Sequence, residues 1–110
     1  MLDKLLGTGY VMHVIKRKTL IEFYSQPGHQ DAKGFLEAWN NEAKHAQWIS
    51  PAEVKDRYPS ASILKGNRVV FNVGGNKYRL VVKINYGSKT VFVRFIGTHA
   101  EYDKIDAEVI

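Results

Sequence analysis

The run Thr98-His99-Ala100-Glu101-Tyr102 sets an imidazole and a phenol at the end of the most basic stretch of the chain. Imidazole titrates near neutrality and can pass a proton to or from a reacting oxygen, while a phenol can stack on a base, orient a phosphate or donate a proton. Cleaving RNA through its own 2′-hydroxyl needs these services. A proton must leave that oxygen, charge must be stabilised on a phosphorane-like transition state, and the departing 5′-oxygen must be protonated. Arg79 and Arg94 offer planar forks suited to phosphate oxygens. Lys65, Arg68, Lys77 and Lys83 suit backbone-phosphate contacts, which position RNA without selecting its sequence. Each residue also has a plainer reading. His99 can satisfy a carbonyl at a strand end, Tyr102 can pack at the start of a C-terminal helix, and the arginine stems can cover Val81 and Ile96 on a solvated sheet face.

Charge favours the first set of roles. From Arg57 to Ala100 there are eight Lys or Arg and no Asp or Glu, whereas through Asp56 seven basic residues face seven acids, and after Ala100 one Lys faces four acids. The net charge of +5 is therefore concentrated in the middle of the chain. An acid-free basic segment threaded through apolar residues points to a polyanion, with RNA the first candidate. The absence of cysteine removes disulfides, thiolate catalysis and cysteine-zinc sites, and suits a reducing compartment. His13, His29 and His45 are scattered without metal-ligand spacing to an acidic cluster, so no cofactor is expected. Gly74-Gly75-Asn76 lacks the lysine and following helix of a phosphate-cradling loop and reads as a hairpin turn. No apolar run approaches the roughly 20 residues that span a bilayer. Met1 to Leu6 is too short and mixed for a secretory signal, so the expectation is a soluble cytoplasmic protein with no membrane partner.

The 110 residues fit one α+β domain, within which these groups must be positioned. Met12-His13-Val14-Ile15 reads as a first strand. Residues 1–11, with Gly7 and Gly9 and little periodicity, read as an N-terminal extension or an extra strand or turn, leaving 12–110 as the domain. Leu20, Phe23 and Tyr24 share a helix face that ends at Gln26-Pro27-Gly28. Asp31 is placed to cap a longer helix to about Trp48, with Phe35, Leu36, Trp39, Ala43 and Ala46 on its apolar stripe. Ser50-Pro51-Ala52-Glu53 has the form of a capping box opening a short third helix to about Tyr58. From Arg68 the period becomes two. A turn at Gly75-Asn76, with positive φ at both, pairs Val73 with Tyr78 and Phe71 with Leu80. After a turn at Tyr86-Gly87-Ser88-Lys89, Val91, Val93 and Phe95 are expected opposite Ile84, Val82 and Leu80 on the buried face. The other face then carries Arg68, Asn72, Lys77, Arg79, Lys83 and Arg94 between Val70, Val81, Phe92 and Ile96. Thr98 falls across from Lys77, bringing His99 and Tyr102 near Lys77 and Arg79.

The segment Phe71-Asn72-Val73-Gly74-Gly75-Asn76-Lys77-Tyr78-Arg79-Leu80-Val81-Val82 resembles the central hairpin of HigB-type toxins of the RelE superfamily, and Thr98-His99-Ala100-Glu101-Tyr102-Asp103-Lys104 resembles their final motif. The likeness runs from Met12 to about Asp106. It implies a compact RelE-like domain: two helices and a short third packed on a mainly antiparallel sheet of about four strands, with a short C-terminal helix. It further implies a bacterial toxin that enters the ribosomal A site and cuts translated mRNA without metal. A HigA-type helix-turn-helix antitoxin would silence it, and operator DNA would be bound only through their complex. Matching positions are Arg79 and Arg94 on the strands and His99 and Tyr102 in the final motif. A non-catalytic RNA- or ribosome-binding module, with the same basic face and an incidental His99, is the alternative.

Either reading predicts that affinity for RNA or ribosomes falls steeply with salt, because several Lys and Arg displace counterions from phosphates. Binding titrations across a salt series are expected to show a weaker and flatter dependence when Lys65, Arg68 or Lys83 is neutralised. A salt-independent affinity would remove the basic sheet from the explanation.

Overall fold

The computed structural model of the chain describes residues 12–110; the expected N-terminal extension, residues 1–11, lies outside the described residues. Among the described residues one mixed sheet of five strands forms the centre, in the order β1-β5-β4-β3-β2. The strands are β1 (His13–Ile15), β2 (Ser62–Ile63), β3 (Arg68–Val73), β4 (Tyr78–Asn85) and β5 (Thr90–Thr98). Only β1 runs parallel to its neighbour, β5; the other pairs are antiparallel. The expected sheet had about four strands. The additional one, β2, is a two-residue edge pairing Ser62 with Val70 and Ile63 with Val69, too short to carry a period in sequence.

Helices α1 (Arg17–Tyr24), α2 (Lys33–His45) and α3 (Pro51–Arg57) precede the antiparallel strands, and α4 (His99–Tyr102) follows β5. The chain reverses from β1 into α1 through Lys16, a non-glycine residue in the left-handed region at φ 69°. Leu20 and Phe23 of α1 and Leu36, Trp39 and Ala43 of α2 are buried, as helical spacing predicts. They pack on Val69, Phe71, Leu80, Val82 and Ile84 from the sheet. Trp39 and Tyr58 meet the Phe71 ring edge-on at centroid distances of 5.5 and 5.0 Å. Both tryptophans are core residues, Trp48 included. The second helix nevertheless stops at His45, because Ala46 is extended (ψ 154°) and carries Trp48 inward from a loop.

Two expected caps are made differently. Ser50 makes no side-chain cap bond; Glu53 Oε1 instead accepts from the Ile49 amide at 3.0 Å. Asp31 lies in a 3-10 turn (Gln30–Ala32) ahead of α2 and does not cap it. Its carboxylate crosses to the β3–β4 hairpin, where Oδ2 accepts from Lys77 Nζ at 2.5 Å and Oδ1 from the Tyr78 hydroxyl at 2.6 Å. The Tyr78 ring lies edge-on to both Phe23 and His29, so the hairpin base is tied to the helical layer by packing and charge together. These bonds, that from Lys77 foremost, hold the Asp31 carboxyl below the usual carboxylate range.

A depressed carboxyl pKa contributes stability that is present above the unfolded value, near ~3.9, and is lost as pH falls through the folded value. Asp31→Asn is therefore expected to lower the melting temperature at neutral pH. That deficit should shrink as the pH is taken below about 4 in paired thermal melts. A deficit of the same size at both pH values would show that the carboxylate charge contributes nothing there.

Candidate active site

β4 and β5 position the site, and one irregularity between them sets its geometry. Ile84 pairs with Val91 and Val82 with Val93, as expected, but Val81 then pairs with Phe95 and Leu80 with Ile96. Arg94 is the extra residue of a β-bulge and has no cross-strand partner. A bulge puts two residues against one and moves every later residue by one place. Phe95 consequently leaves the core face for the outer one, and Ile96 packs against the core instead. Gly97 comes opposite Arg79, and Thr98 opposite Tyr78 rather than Lys77. The His99 amide reaches the Lys77 carbonyl at 3.2 Å, so the expected approach of the final motif to the hairpin is found.

The strand ends in a capping box. Thr98 Oγ1 accepts from the Glu101 amide at 3.1 Å, and Glu101 Oε1 accepts from the Thr98 amide at 2.8 Å. This clamp fixes the backbone on which His99 is presented to solvent, its side chain 48% exposed. Asp103 Oδ2 lies 3.3 Å from His99 Nδ1. The T-x-x-E signal for the box was legible in Thr98 and Glu101. Nothing in the linear order marked Gly97. A Cβ there would lie 2.5 Å from Phe95 Cζ and 2.8 Å from Glu101 Oε1, so the absence of a side chain lets the Phe95 ring and the capping carboxylate share that space.

Arg79 is not presented as an open fork. It is 8% exposed, and its guanidinium is satisfied within its own hairpin. Nη1 donates to the carbonyls of Asn76 and Tyr78, both at 3.1 Å, and Nη2 to Asn76 Oδ1 at 2.6 Å. The hairpin turn runs through Gly74 and Gly75, whose φ values are 64° and 70°. Positive φ thus falls one residue earlier than expected, and Asn76 is left to hold Arg79. Tyr102 is half-buried against Val70, Val81 and Ala107, in a second apolar cluster completed by Leu64, Phe95, Ile105 and Ile110. The chain after β5 therefore folds back over part of the outer sheet face, which was expected to be an open basic surface.

The remaining basic residues are divided. Lys77 lies at the His99 end with its ammonium on Asp31. Arg68 and Lys83 pair at the other end of β3 and β4, six residues along β4 from Lys77 and so about 20 Å away at strand rise. Arg68 Nε and Nη2 both donate to Ile110 O, at 3.0 and 2.5 Å, which holds the C-terminal segment to β3. Lys65 is exposed beside it, and Arg94 is exposed at the bulge, roughly 10 Å along β5 from Gly97. The structure brings His99, Tyr102, Arg79 and Lys77 to one end of the sheet and leaves Lys65, Arg68 and Lys83 at the other. Among the described residues, no three His, Asp or Glu side chains converge as metal ligands.

Residues 32–105, which run from the start of α2 through the hairpin and the final motif, match the HigB toxin family, described as the RelE-like toxic component of a toxin-antitoxin system. The chain belongs to that family. An mRNA interferase toxin HigB from Escherichia coli K12 is 34% identical to it over 95 residues, covering 84% of this chain and 88% of the relative. The mRNA interferase HigB of Shigella flexneri shows the same identity and coverage. That of Escherichia coli O6:H1 is 36% identical over 64 residues, covering 56% of this chain and 62% of the relative. Within this HigB-family chain the match contains every candidate site residue.

Gly97→Ala is expected to cost about 1–3 kcal/mol, the usual cost of forcing extra volume into a filled space, because the new methyl meets both the Phe95 ring and the Glu101 carboxylate. Chemical unfolding would measure the loss. Loss of the Glu101 amide's protection from hydrogen exchange would show the cap opening. A variant as stable as the parent, with the cap intact, would show that Phe95 is free to move aside.

Proposed function

We propose that this chain is an mRNA-cleaving toxin, a metal-independent endoribonuclease of RelE-like fold acting on mRNA held in the ribosomal A site. On this reading the activity resides in residues 12–110, in the cytoplasm, and a HigA-type helix-turn-helix antitoxin masks it. Operator DNA is met only through that antitoxin complex. The observation that carries the reading is the exposed His99 imidazole, presented at the end of β5 from a backbone bonded to the Lys77 carbonyl. The relatives' names, mRNA interferase HigB, supply the substrate class.

The chemistry uses the RNA's own nucleophile. The 2′-oxygen loses its proton and bonds to phosphorus while the bond from phosphorus to the 5′-oxygen breaks with its electron pair. A proton from solvent water completes the 5′-hydroxyl, and the other fragment ends in a 2′,3′-cyclic phosphate. His99 serves the proton transfer. Arg94, exposed on the bulge, is the cation offered to phosphate oxygens, while Lys77, next to His99, shares its charge with Asp31. Lys65 and Lys83 extend a positive track toward the far end of the sheet, with Arg68 contributing charge while it holds the C-terminal segment. Arg79 acts through the hairpin: its buried fork shapes the turn that carries Lys77. Tyr102 contributes an aromatic edge for a base while its ring stays packed. The ribosome supplies the in-line geometry that free RNA seldom adopts.

Translated mRNA is expected to be cut in the presence of chelator by ribosomes assembled beforehand, with a 2′,3′-cyclic or 3′-phosphate at the new end. His99→Ala is expected to slow cleavage about a hundredfold, as for loss of one proton-transfer group. Tyr102→Phe separates the hydroxyl from the packing, and Arg79→Ala should be read beside an unfolding curve because it also empties a buried site. Wild-type cleavage by His99→Ala would remove the assignment. Ribosome binding without cleavage by the parent chain would leave a binding module.

A further inference from the structure

Asp103 lies four residues after His99, on the same side of the short α4 turn, with Oδ2 3.3 Å from the ring's Nδ1. The neighbouring groups are occupied elsewhere. Glu101 Oε1 is held by the Thr98 amide, Lys77 Nζ by Asp31, and Asp106 Oδ1 by the Glu108 amide. The backbone on both sides of the pair is fixed too. The His99 amide donates to the Lys77 carbonyl, and the Asp103 amide donates to the His99 carbonyl at 3.1 Å. The carboxylate therefore faces the ring from a backbone that the strand end and the turn hold in place. Nε2 has no hydrogen-bond partner among the described residues.

The geometry points to Asp103 as a positioning residue for His99: its carboxylate keeps the proton on Nδ1 and turns Nε2, as the lone-pair nitrogen, toward the substrate. Which ring nitrogen is protonated is set by the bond the other one makes, and a carboxylate facing one nitrogen selects the proton there. This deepens the ribonuclease reading and rests on it. The neutral ring then takes the 2′-hydroxyl proton on Nε2, so His99 is the base of the step written above, and solvent protonates the 5′-oxygen.

The tautomer can be read without substrate. Long-range proton–nitrogen NMR of the 15N-labelled full chain, at a pH where His99 is neutral, is expected to show Nδ1 protonated and Nε2 bare. Asp103→Ala should shift His99 toward the Nε2-protonated form and lower the cleavage rate about tenfold at saturating ribosomes, with little change in apparent affinity. Asp103→Glu, which keeps a carboxylate on a longer arm, should restore part of both signals. A parent chain that cleaves but shows Nε2 protonated overturns the assignment, as does an Asp103→Ala chain with unchanged tautomer and rate. If the parent shows the stated tautomer and cuts no translated mRNA, the ribonuclease reading falls and takes the catalytic use of the pair with it, while the tautomer assignment stands.

Discussion

One extra residue in β5 governs the site. Without the bulge at Arg94, strict alternation would put Phe95 in the core opposite Leu80 and Ile96 on the outer face, and would bring Thr98 against Lys77. With it, Gly97 rather than a bulky residue faces Arg79, the Phe95 ring fills the space above the glycine, and the strand ends one place later along β4. The capping box can then close at Thr98 with His99 bonded to the hairpin backbone. A bulge leaves its extra residue outside the ladder. Here that residue is an exposed arginine, whose guanidinium lies outside the ladder and can be offered to a ligand.

The sheet's two faces divide the work less cleanly than charge alone suggests. From Tyr78 to Ile84, β4 is buried at every position except Lys83, so it is covered on both sides. One cover is the helical layer. The other is the C-terminal segment, which brings Tyr102, Ile105 and Ala107 over Val70 and Val81 and is fastened by Arg68. Burial of that kind explains how a basic segment can also be a central strand: the charges sit at its ends, at a bulge, or inside a turn that satisfies them. Arg79 is the extreme case, a guanidinium used as a brace for the hairpin.

Asp31 joins these parts. Its carboxylate crosses from the helical layer to Lys77, the last residue before β4, and Tyr78, the first of β4, next to the final motif. Tyr78 is at once a core ring against Phe23 and the partner of Thr98 across the sheet. Asp31 thus links the connection between α1 and α2 to the hairpin whose Lys77 carbonyl holds the His99 amide.

Much of this was legible in linear order. Helical spacing marked Leu20, Phe23, Leu36, Trp39 and Ala43 as core, because a helix face depends only on positions three and four apart. Alternation and a Gly-Gly-Asn turn were enough to pair Val73 with Tyr78 and Phe71 with Leu80. Two resembling segments pointed to the toxin family, and the acid-free stretch pointed to a polyanion. Other features required the folded chain. β2 is two residues long and exists only because β3 offers an edge. Asp31 looked like a helix cap, since an acid before an apolar stripe is satisfied locally unless a distant ammonium and phenol are brought to it. The bulge, the enclosure of Arg79 and the cover over the outer face arise from contacts between residues far apart in sequence, which periodicity does not encode. Local order thus determined most of the elements and where the candidate site residues lie in the chain; tertiary packing decided which charges remain free, because burial on a second face is a property of what folds over it.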